Sequence, residues 1–301
     1  MIQAQTFSRT NDTLRGAAAA WGSLISMNSG AGLSKLLFPV IGAYGITALR
    51  VAIAAAILCA VVRPWQRRVP RELLPVLLGY GAVLGVMNIS FYQAIARIPI
   101  GIAIGIEVLG PLAVAVMGSR TRRDFLFLGV AAAGLVLLLP IHSDSPIDPV
   151  GVLFALGAAV CWALYILCGK HVSAALGQDA VALGLVIGAA IALPVGFASA
   201  GTLLFTPWIL AAGLGIALLS SAIPYTLEMA AMRRLPAHVF SLLLSASPAI
   251  GAVIGFVLLG ERLTAVQALA ILLIMLAAGG SAVSAAKRRP LPPEEAGIPT
   301  P

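Results

Sequence analysis

Apolar residues form ten long runs along the chain, and polar residues are mostly confined to the short stretches between them. The runs cover residues 17–38, 44–62, 73–95, 99–118, 125–140, 150–169, 179–199, 208–232, 238–259 and 264–285. Most of these runs approach the roughly 20 residues that a helix needs to cross a bilayer. The pattern therefore predicts an all-α integral membrane protein with ten transmembrane helices.

Composition supports a membrane protein and excludes an ordinary soluble domain. Hydrophobic residues make up 60% of the 301 residues, only 10% are charged, and the mean hydropathy is +1.03. The net charge of +8 could indicate nucleic-acid binding, but the basic residues lie in short clusters between the apolar runs and form no continuous basic face. We therefore expect the lipid bilayer as a partner and no nucleic acid.

The basic residues also predict the topology. With the amino terminus inside, all Lys and Arg residues except Lys35, Arg50, Arg97 and Arg262 fall in cytoplasmic segments. Both termini should therefore be cytoplasmic, in a multi-pass protein of the inner membrane. Residues 1–16 are predicted to be a cytoplasmic tail. Residues 287–301, which are polar and rich in proline, are predicted to be a disordered cytoplasmic tail.

The two halves of the chain show an internal repeat. A shift of 135 residues places Lys35 on Lys170, and a shift of 137 places Arg97 on Arg234, Pro99 on Pro236, Pro111 on Pro248 and Asp124 on Glu261. Residues 17–140 and 150–286 then form two repeats of five helices each. Because five is odd, the second repeat must be inverted in the membrane relative to the first, a construction that is common in secondary transporters.

Five segments carry a resemblance to a known family. They are GLSKLLFP (32–39), GITALR (45–50), EVLGPLAV (107–114), SAIPYTLEM (221–229) and LGERLT (259–264). The chain resembles the EamA-type drug/metabolite transporters, and within them the bacterial inner-membrane exporters of threonine and homoserine. The resemblance implies ten helices in two inverted repeats and ion-gradient-driven export of small amino acids. One departure is Ser247, where related exporters commonly have a Glu directly before the proline.

No sequence feature indicates an enzyme, a cofactor or a metal site. Lys170 follows a glycine but lacks the rest of a phosphate-binding loop, and the three histidines lack metal-ligand spacing. Cys59, Cys161 and Cys168 are expected to be free thiols. A secondary transporter that uses protons as its coupling ion is the leading interpretation, and the oligomeric state is not predicted. Two alternatives stay open: an exporter of aromatic amino acids, nucleobases or cationic drugs, and a non-transporting membrane scaffold or receptor.

Glu107 is the most prominent candidate site residue, because it lies near the middle of the fourth apolar run. A charged side chain at that depth costs roughly 2.5 to 3.5 kcal/mol on insertion scales. It is predicted either to bind a substrate ammonium or a proton, or to be a structural carboxylate paired with a neighbouring helix. Arg50 is expected at a similar depth, so the two residues could bind both ends of an amino acid or simply neutralise each other.

Further polar and aromatic residues could outline a pocket near the interface between the repeats. Tyr225 and Glu228 share a face of the eighth run with Ser221, where Pro224 is expected to loosen the helix. The other candidates are Asn28, Asn88, Tyr92, Trp162 and Tyr165. For each of them helix packing is the alternative role. Lys35 is expected to be an anchor whose long side chain reaches the membrane surface.

Overall fold

The computed structural model describes residues 2–66, 69–117, 122–138, 147–177, 179–232, 234–235 and 237–286, and the regular structure in these ranges is helical. The helices are α1 (Ile2–Leu36), α2 (Phe38–Val62), α3 (Leu74–Ile95), α4 (Ile100–Glu107), α5 (Leu109–Met117), α6 (Arg122–Leu138), α7 (Pro149–Leu176), α8 (Asp179–Ala200), α9 (Pro207–Ala217), α10 (Ile223–Met232), α11 (Ala237–Leu244), α12 (Ser247–Leu259) and α13 (Ala265–Ala286). The predicted tail 287–301 lies outside the described residues.

Within the described residues, seven helical segments are long and apolar enough to cross a membrane. They are Phe38–Val62, Arg71–Ile95, Pro149–Leu176, Asp179–Phe205, Pro207–Glu228, Val239–Leu259 and Ala265–Ser284. The apolar helices Ile100–Val114 and Phe125–Leu138 are shorter. The chain is therefore a multi-pass membrane protein, as predicted, whereas the full number of ten spans stays a prediction. Helix α1 begins at Ile2, so the predicted amino-terminal tail continues directly into the first span.

Three predicted spans are interrupted, and each interruption precedes a proline. Helix α4 ends at Glu107 and α11 ends at Leu244, which are the residues four positions before Pro111 and Pro248. Between α9 and α10 the helix widens into a π-helical turn, Leu218–Ala222, just before Pro224. Proline has no N–H to bond the carbonyl four residues earlier, so the helix breaks or widens at that carbonyl. The broken helices place backbone irregularities inside three apolar helical segments.

Closely packed pairs of helices build the centre of the described part of the molecule. Helix α2 packs on α8, α3 on α7, α6 on α13, α1 on α10, and α4 on α12. The apolar core surrounds α4, where Ile100, Ile102 and Ile106 are fully buried. The two interrupted spans of α4 and α12 therefore lie against each other at the centre of the protein.

Candidate functional site

Arg50 of α2 contacts uncharged side chains from two other segments, α3 and the π-helical turn. One terminal nitrogen donates to Asn88 Oδ1 of α3, and the other donates to Ser220 Oγ of the π-helical turn at 3.4 Å. The guanidinium carbon lies 4.9 Å from the ring centroid of Tyr92, which allows a cation–π interaction. Its Nε is buried and has no hydrogen-bond acceptor among the described residues. One donor of this cation is therefore unused.

Asn88 and Tyr92 lie one helical turn apart on α3 and hold Arg50 from the same side. Asn88 Nδ2 donates to the carbonyl of Leu84 at 2.8 Å, which turns Oδ1 of Asn88 towards the guanidinium. The hydroxyl of Tyr92 lies 3.1 Å from Ser34 Oγ of α1, and both side chains are buried. The sequence correctly placed Asn88 and Tyr92 on one face, while Ser34 was not among its candidates.

The π-helical turn brings Ser220 to Arg50. Ser220 Oγ donates to the carbonyl of Ile216 at 2.7 Å, which leaves its oxygen free to accept from the guanidinium. Helix α1 approaches the turn closely, because a Cβ on Gly30 would lie 2.9 Å from Ser220 Cβ. Sequence reasoning selected the neighbouring Ser221 and missed Ser220. The available signal was Pro224, since Ser220 is the residue whose carbonyl loses its partner. We call Arg50, Asn88, Tyr92, Ser34 and Ser220 the Arg50 cluster.

Glu107 is the last residue of α4, at the interruption before Pro111. Its side chain is half-buried, and Arg50 attracts it electrostatically. Among the described residues, however, the two side chains form no ion pair within 4.0 Å. Glu107 and Arg50 therefore lie in the same region without neutralising each other by direct contact.

Glu228 lies at a different interface. Its carboxylate accepts a hydrogen bond of 3.1 Å from Ser23 Oγ, which is also 3.3 Å from the carbonyl of Pro224. These contacts join α10 to α1 and do not include Arg50. The side chain of Tyr225, the predicted neighbour of Glu228, lies outside the described residues.

Asn28 joins α1 to α12. Its side-chain nitrogen donates to the carbonyl of Leu24 at 2.7 Å and to Ser247 Oγ at 3.3 Å, and both side chains are buried. Ser247 is the residue that stands where the family resemblance leads us to expect a Glu. Its side chain faces a polar partner, Asn28, in the protein interior.

Trp162 and Tyr165 pack in two different apolar clusters. Tyr165 stacks on Tyr80, with ring centroids 5.0 Å apart and an interplanar angle of 24°, in a separate apolar cluster of α3 and α7. Trp162 is partly buried against the apolar core around α4. The observed contacts of both residues are packing contacts.

Lys35 forms an ion pair instead of extending along the membrane surface. Its Nζ lies 2.6 Å from Glu261 Oε1 and donates to the carbonyl of Ile98 at 3.1 Å. The side chains of Lys35 and Glu261 are only 20% and 13% exposed. The expected snorkelling of Lys35 is therefore wrong, because a carboxylate from the loop between α12 and α13 reaches it first.

The described residues contain no group of three or more His, Cys, Asp or Glu side chains that could hold a metal ion. Cys59, Cys161 and Cys168 are free thiols. What the described site offers chemically is charge and hydrogen bonding, on side chains from several membrane-spanning helices.

Comparison with known proteins places this architecture in a family. Residues 149–282 match the EamA-like transporter family. The chain is 46% identical to the threonine/homoserine exporter RhtA of Salmonella typhimurium (strain LT2) over 87% of this chain and 89% of that protein. It is 45% identical to the threonine/homoserine exporter RhtA of Escherichia coli (strain K12) over 88% of this chain and 90% of that protein.

A solved crystal structure shares the fold. It superimposes with a TM-score of 0.55, covers 93% of this chain and 99% of its own, and is 22% identical. The extent and identity of the matches to the exporters, together with the family match, confirm the resemblance that the sequence motifs predicted. The chain belongs to the EamA-like transporter family, a family of transporters and not of enzymes.

Proposed function

We propose that this protein exports threonine and homoserine from the cytoplasm, and that the Arg50 cluster binds the substrate carboxylate. The observation that carries the proposed site is the state of Arg50. It is a half-buried cation whose described partners are all uncharged and whose buried Nε has no acceptor among the described residues. A guanidinium suits a carboxylate because its planar fork can donate two parallel hydrogen bonds.

Glu107 is the proposed partner of the substrate ammonium. An amino acid carries one negative and one positive end, and Glu107 and Arg50 are opposite charges that form no ion pair with each other within 4.0 Å. A small zwitterion between the two side chains would satisfy both charges. Ser220 and Asn88 lie beside Arg50 and offer a hydroxyl and an amide that could hydrogen-bond the substrate hydroxyl.

Two inverted repeats with alternating access are the proposed mechanism. The interruptions after Glu107 and after Leu244 are 137 residues apart, the same shift that aligns the two halves of the sequence. The helix packing is also consistent with a symmetry that exchanges the first repeat with the second. The pairs α2 with α8 and α6 with α13 each map onto themselves, while α3 with α7 maps onto α10 with α1. Interrupted helices in corresponding positions favour a binding site at the repeat interface.

Protons are the proposed coupling ion, carried by the membrane-embedded carboxylates of Glu107 and Glu228. Such carboxylates are costly in a bilayer and are typical of proton pathways. The clustering of basic residues supports an orientation with both termini in the cytoplasm, in the inner membrane.

The test is transport by purified protein in liposomes that contain labelled threonine or homoserine. We expect both amino acids to be released, at a rate that rises with an imposed pH gradient. Arg50→Ala should lose the flux, whereas Arg97→Ala should keep it, because the polar partners of Arg97 are Gln93 and Asp148, neither of which belongs to the Arg50 cluster.

Each negative result would refute a different part of the proposal. If folded protein moved neither amino acid, the substrate proposal would be wrong. Release of aromatic amino acids, nucleobases or cationic dyes in the same liposomes would then identify the alternative exporter. If threonine moved at a rate independent of the pH gradient, only the proton coupling would be wrong.

A further inference from the structure

A compact polar contact joins the two halves of the chain at the end of the molecule where α1 and α12 terminate. Lys35 Nζ lies 2.6 Å from Glu261 Oε1, and Glu261 Oε2 accepts the N–H of Ile100 at 3.0 Å. Lys35 also donates to the carbonyl of Ile98 at 3.1 Å. The contact therefore ties three places together: the end of α1, the start of α4 and the loop between α12 and α13.

Gly255 makes room for this contact. The N–H of Glu261 donates to the carbonyl of Gly255 at 3.0 Å, so the loop turns back over the end of α12. A Cβ on Gly255 would overlap Glu261 Oε2. The carboxylate can therefore occupy this position only if residue 255 has no side chain. We call Lys35, Glu261, Gly255 and the backbone of Ile98 and Ile100 the Lys35 latch.

The sequence repeats the residues of the latch in the other half of the chain. Lys35 corresponds to Lys170, Pro99 and Ile100 to Pro236 and Ala237, and Glu261 to Asp124. Lys170, however, is exposed in this structure, whereas Lys35 is mostly buried in its ion pair. The two lysines are thus equivalent in the sequence repeat and differ in their surroundings.

We propose that the Lys35 latch is a gate that holds its end of the transporter closed in this conformation and breaks when that end opens. This inference rests on the proposed alternating access. Because the latch joins α1 and α4 of the first half to the α12–α13 loop of the second, separation of the halves at this end must break the Lys35–Glu261 pair. Removing one partner of a mostly buried ion pair leaves an uncompensated charge, so neutralising Glu261 should favour the open state.

The experiment measures the distance across the latch by spin labels in nanodiscs, without substrate. Labels are attached to Leu36→Cys at the end of α1 and Ala265→Cys at the start of α13, both exposed, after replacement of Cys59, Cys161 and Cys168. The protein with an unmodified latch should give mainly a short distance between the two labels, which corresponds to the closed gate. Glu261→Gln should raise the ratio of long to short distances roughly tenfold.

Gly255→Ala tests the same latch without changing any charge. The added methyl group should displace the Glu261 carboxylate and raise the long-distance ratio in the same direction. Two matched controls should leave the ratio unchanged. Glu72→Gln neutralises an exposed carboxylate outside the latch, and Gly215→Ala adds a methyl group where nothing lies within 4 Å.

Unchanged distances in both Glu261→Gln and Gly255→Ala would overturn the gate, and so would an equal shift in the two controls. The label distances are measured without transport, so they test the gate separately from the proposed substrate. If Glu261→Gln and Gly255→Ala exported threonine but showed no change in distance, only the gate would be refuted. A latch that responds as expected in a protein that moves no amino acid would support the gate and refute the substrate.

Discussion

Two half-buried cations of this protein, Arg50 and Lys35, have opposite surroundings. The described hydrogen-bond partners of Arg50 are the uncharged Asn88 and Ser220, and one of its donors is unused. Lys35 is neutralised by Glu261 at 2.6 Å. A buried charge requires compensation, so the difference lies in where the compensation comes from. For Lys35 the protein supplies it, whereas for Arg50 we propose that the substrate does.

The chemistry of the two side chains fits this division. The guanidinium presents five donors in a planar fork, so neutral groups can hold two of them while others stay available to a carboxylate. The ammonium of Lys35 is a compact charge that one carboxylate and one carbonyl can satisfy. A cation already paired within the protein is suited to closing an interface, and a cation without a carboxylate is suited to binding one.

The largest effect is expected from Arg50→Ala. Loss of a buried, charged partner of a carboxylate typically costs about 2 to 5 kcal/mol, so the affinity for threonine should fall roughly 30-fold or more. Arg50→Lys should recover only part of the loss, because an ammonium cannot reproduce the fork. Titration calorimetry in detergent measures both. If Arg50→Ala bound threonine with unchanged affinity, the proposal that the substrate compensates the charge of Arg50 would be wrong.

A smaller loss is expected from Glu107→Gln, which keeps the shape of the side chain and removes its charge. Hydrogen bonds to charged groups contribute about 1.5 to 3 kcal/mol, so threonine affinity should fall roughly 10- to 100-fold. Glu72→Gln is the control, because Glu72 is exposed and lies before α3. If Glu107→Gln bound threonine normally while export failed, Glu107 would be a proton site only.

Two variants of Tyr92 distinguish the role of its ring from the role of its hydroxyl. Tyr92→Leu removes the cation–π contact with Arg50, worth about 0.5 to 2 kcal/mol, and should weaken threonine binding several-fold. Tyr92→Phe keeps the ring and loses only the bond to Ser34, so it should lower stability by about 1 kcal/mol without changing the affinity. Equal affinity losses in the two variants would contradict a role for the ring.

The smallest effect on binding is expected at Tyr165. Its ring stacks on Tyr80 in a separate cluster, so Tyr165→Leu should lower thermal stability and leave threonine affinity unchanged. The lost aromatic contact contributes about 0.5 to 1.5 kcal/mol beyond simple burial. If Tyr165→Leu lost affinity for threonine without losing thermal stability, Tyr165 would have to line the substrate pocket.

Local rules explain which parts of this structure were predictable. Hydrophobic runs located the helices, because an uninterrupted apolar stretch of this length can satisfy its backbone in a bilayer only as a helix. Proline explains the breaks at Glu107 and Leu244, since a missing N–H acts four residues upstream. Helical spacing placed Asn88 and Tyr92 on one face. Each of these inferences depends on neighbours within a few residues.

Contacts across helices were beyond the reach of the same reasoning. Lys35 meets Glu261 across 226 positions of the chain, and Arg50 meets Ser220 across 170. The sequence left open whether Arg50 and Glu107 pair directly or bind the two ends of a substrate, and in the structure they form no ion pair within 4.0 Å. Depth in the membrane can be counted along one helix, whereas lateral position depends on how all the helices pack.

By itself, the sequence determined that this protein is a helical membrane transporter of the EamA-like family, with cations and carboxylates at unusual depth. The tertiary structure alone decided which of those charges are paired. The physical reason is that a buried charge is stabilised by whichever group the packing brings within a few ångströms, and packing is a property of the whole chain. That is why Lys35 is neutralised by Glu261 while Arg50 has only uncharged hydrogen-bond partners among the described residues.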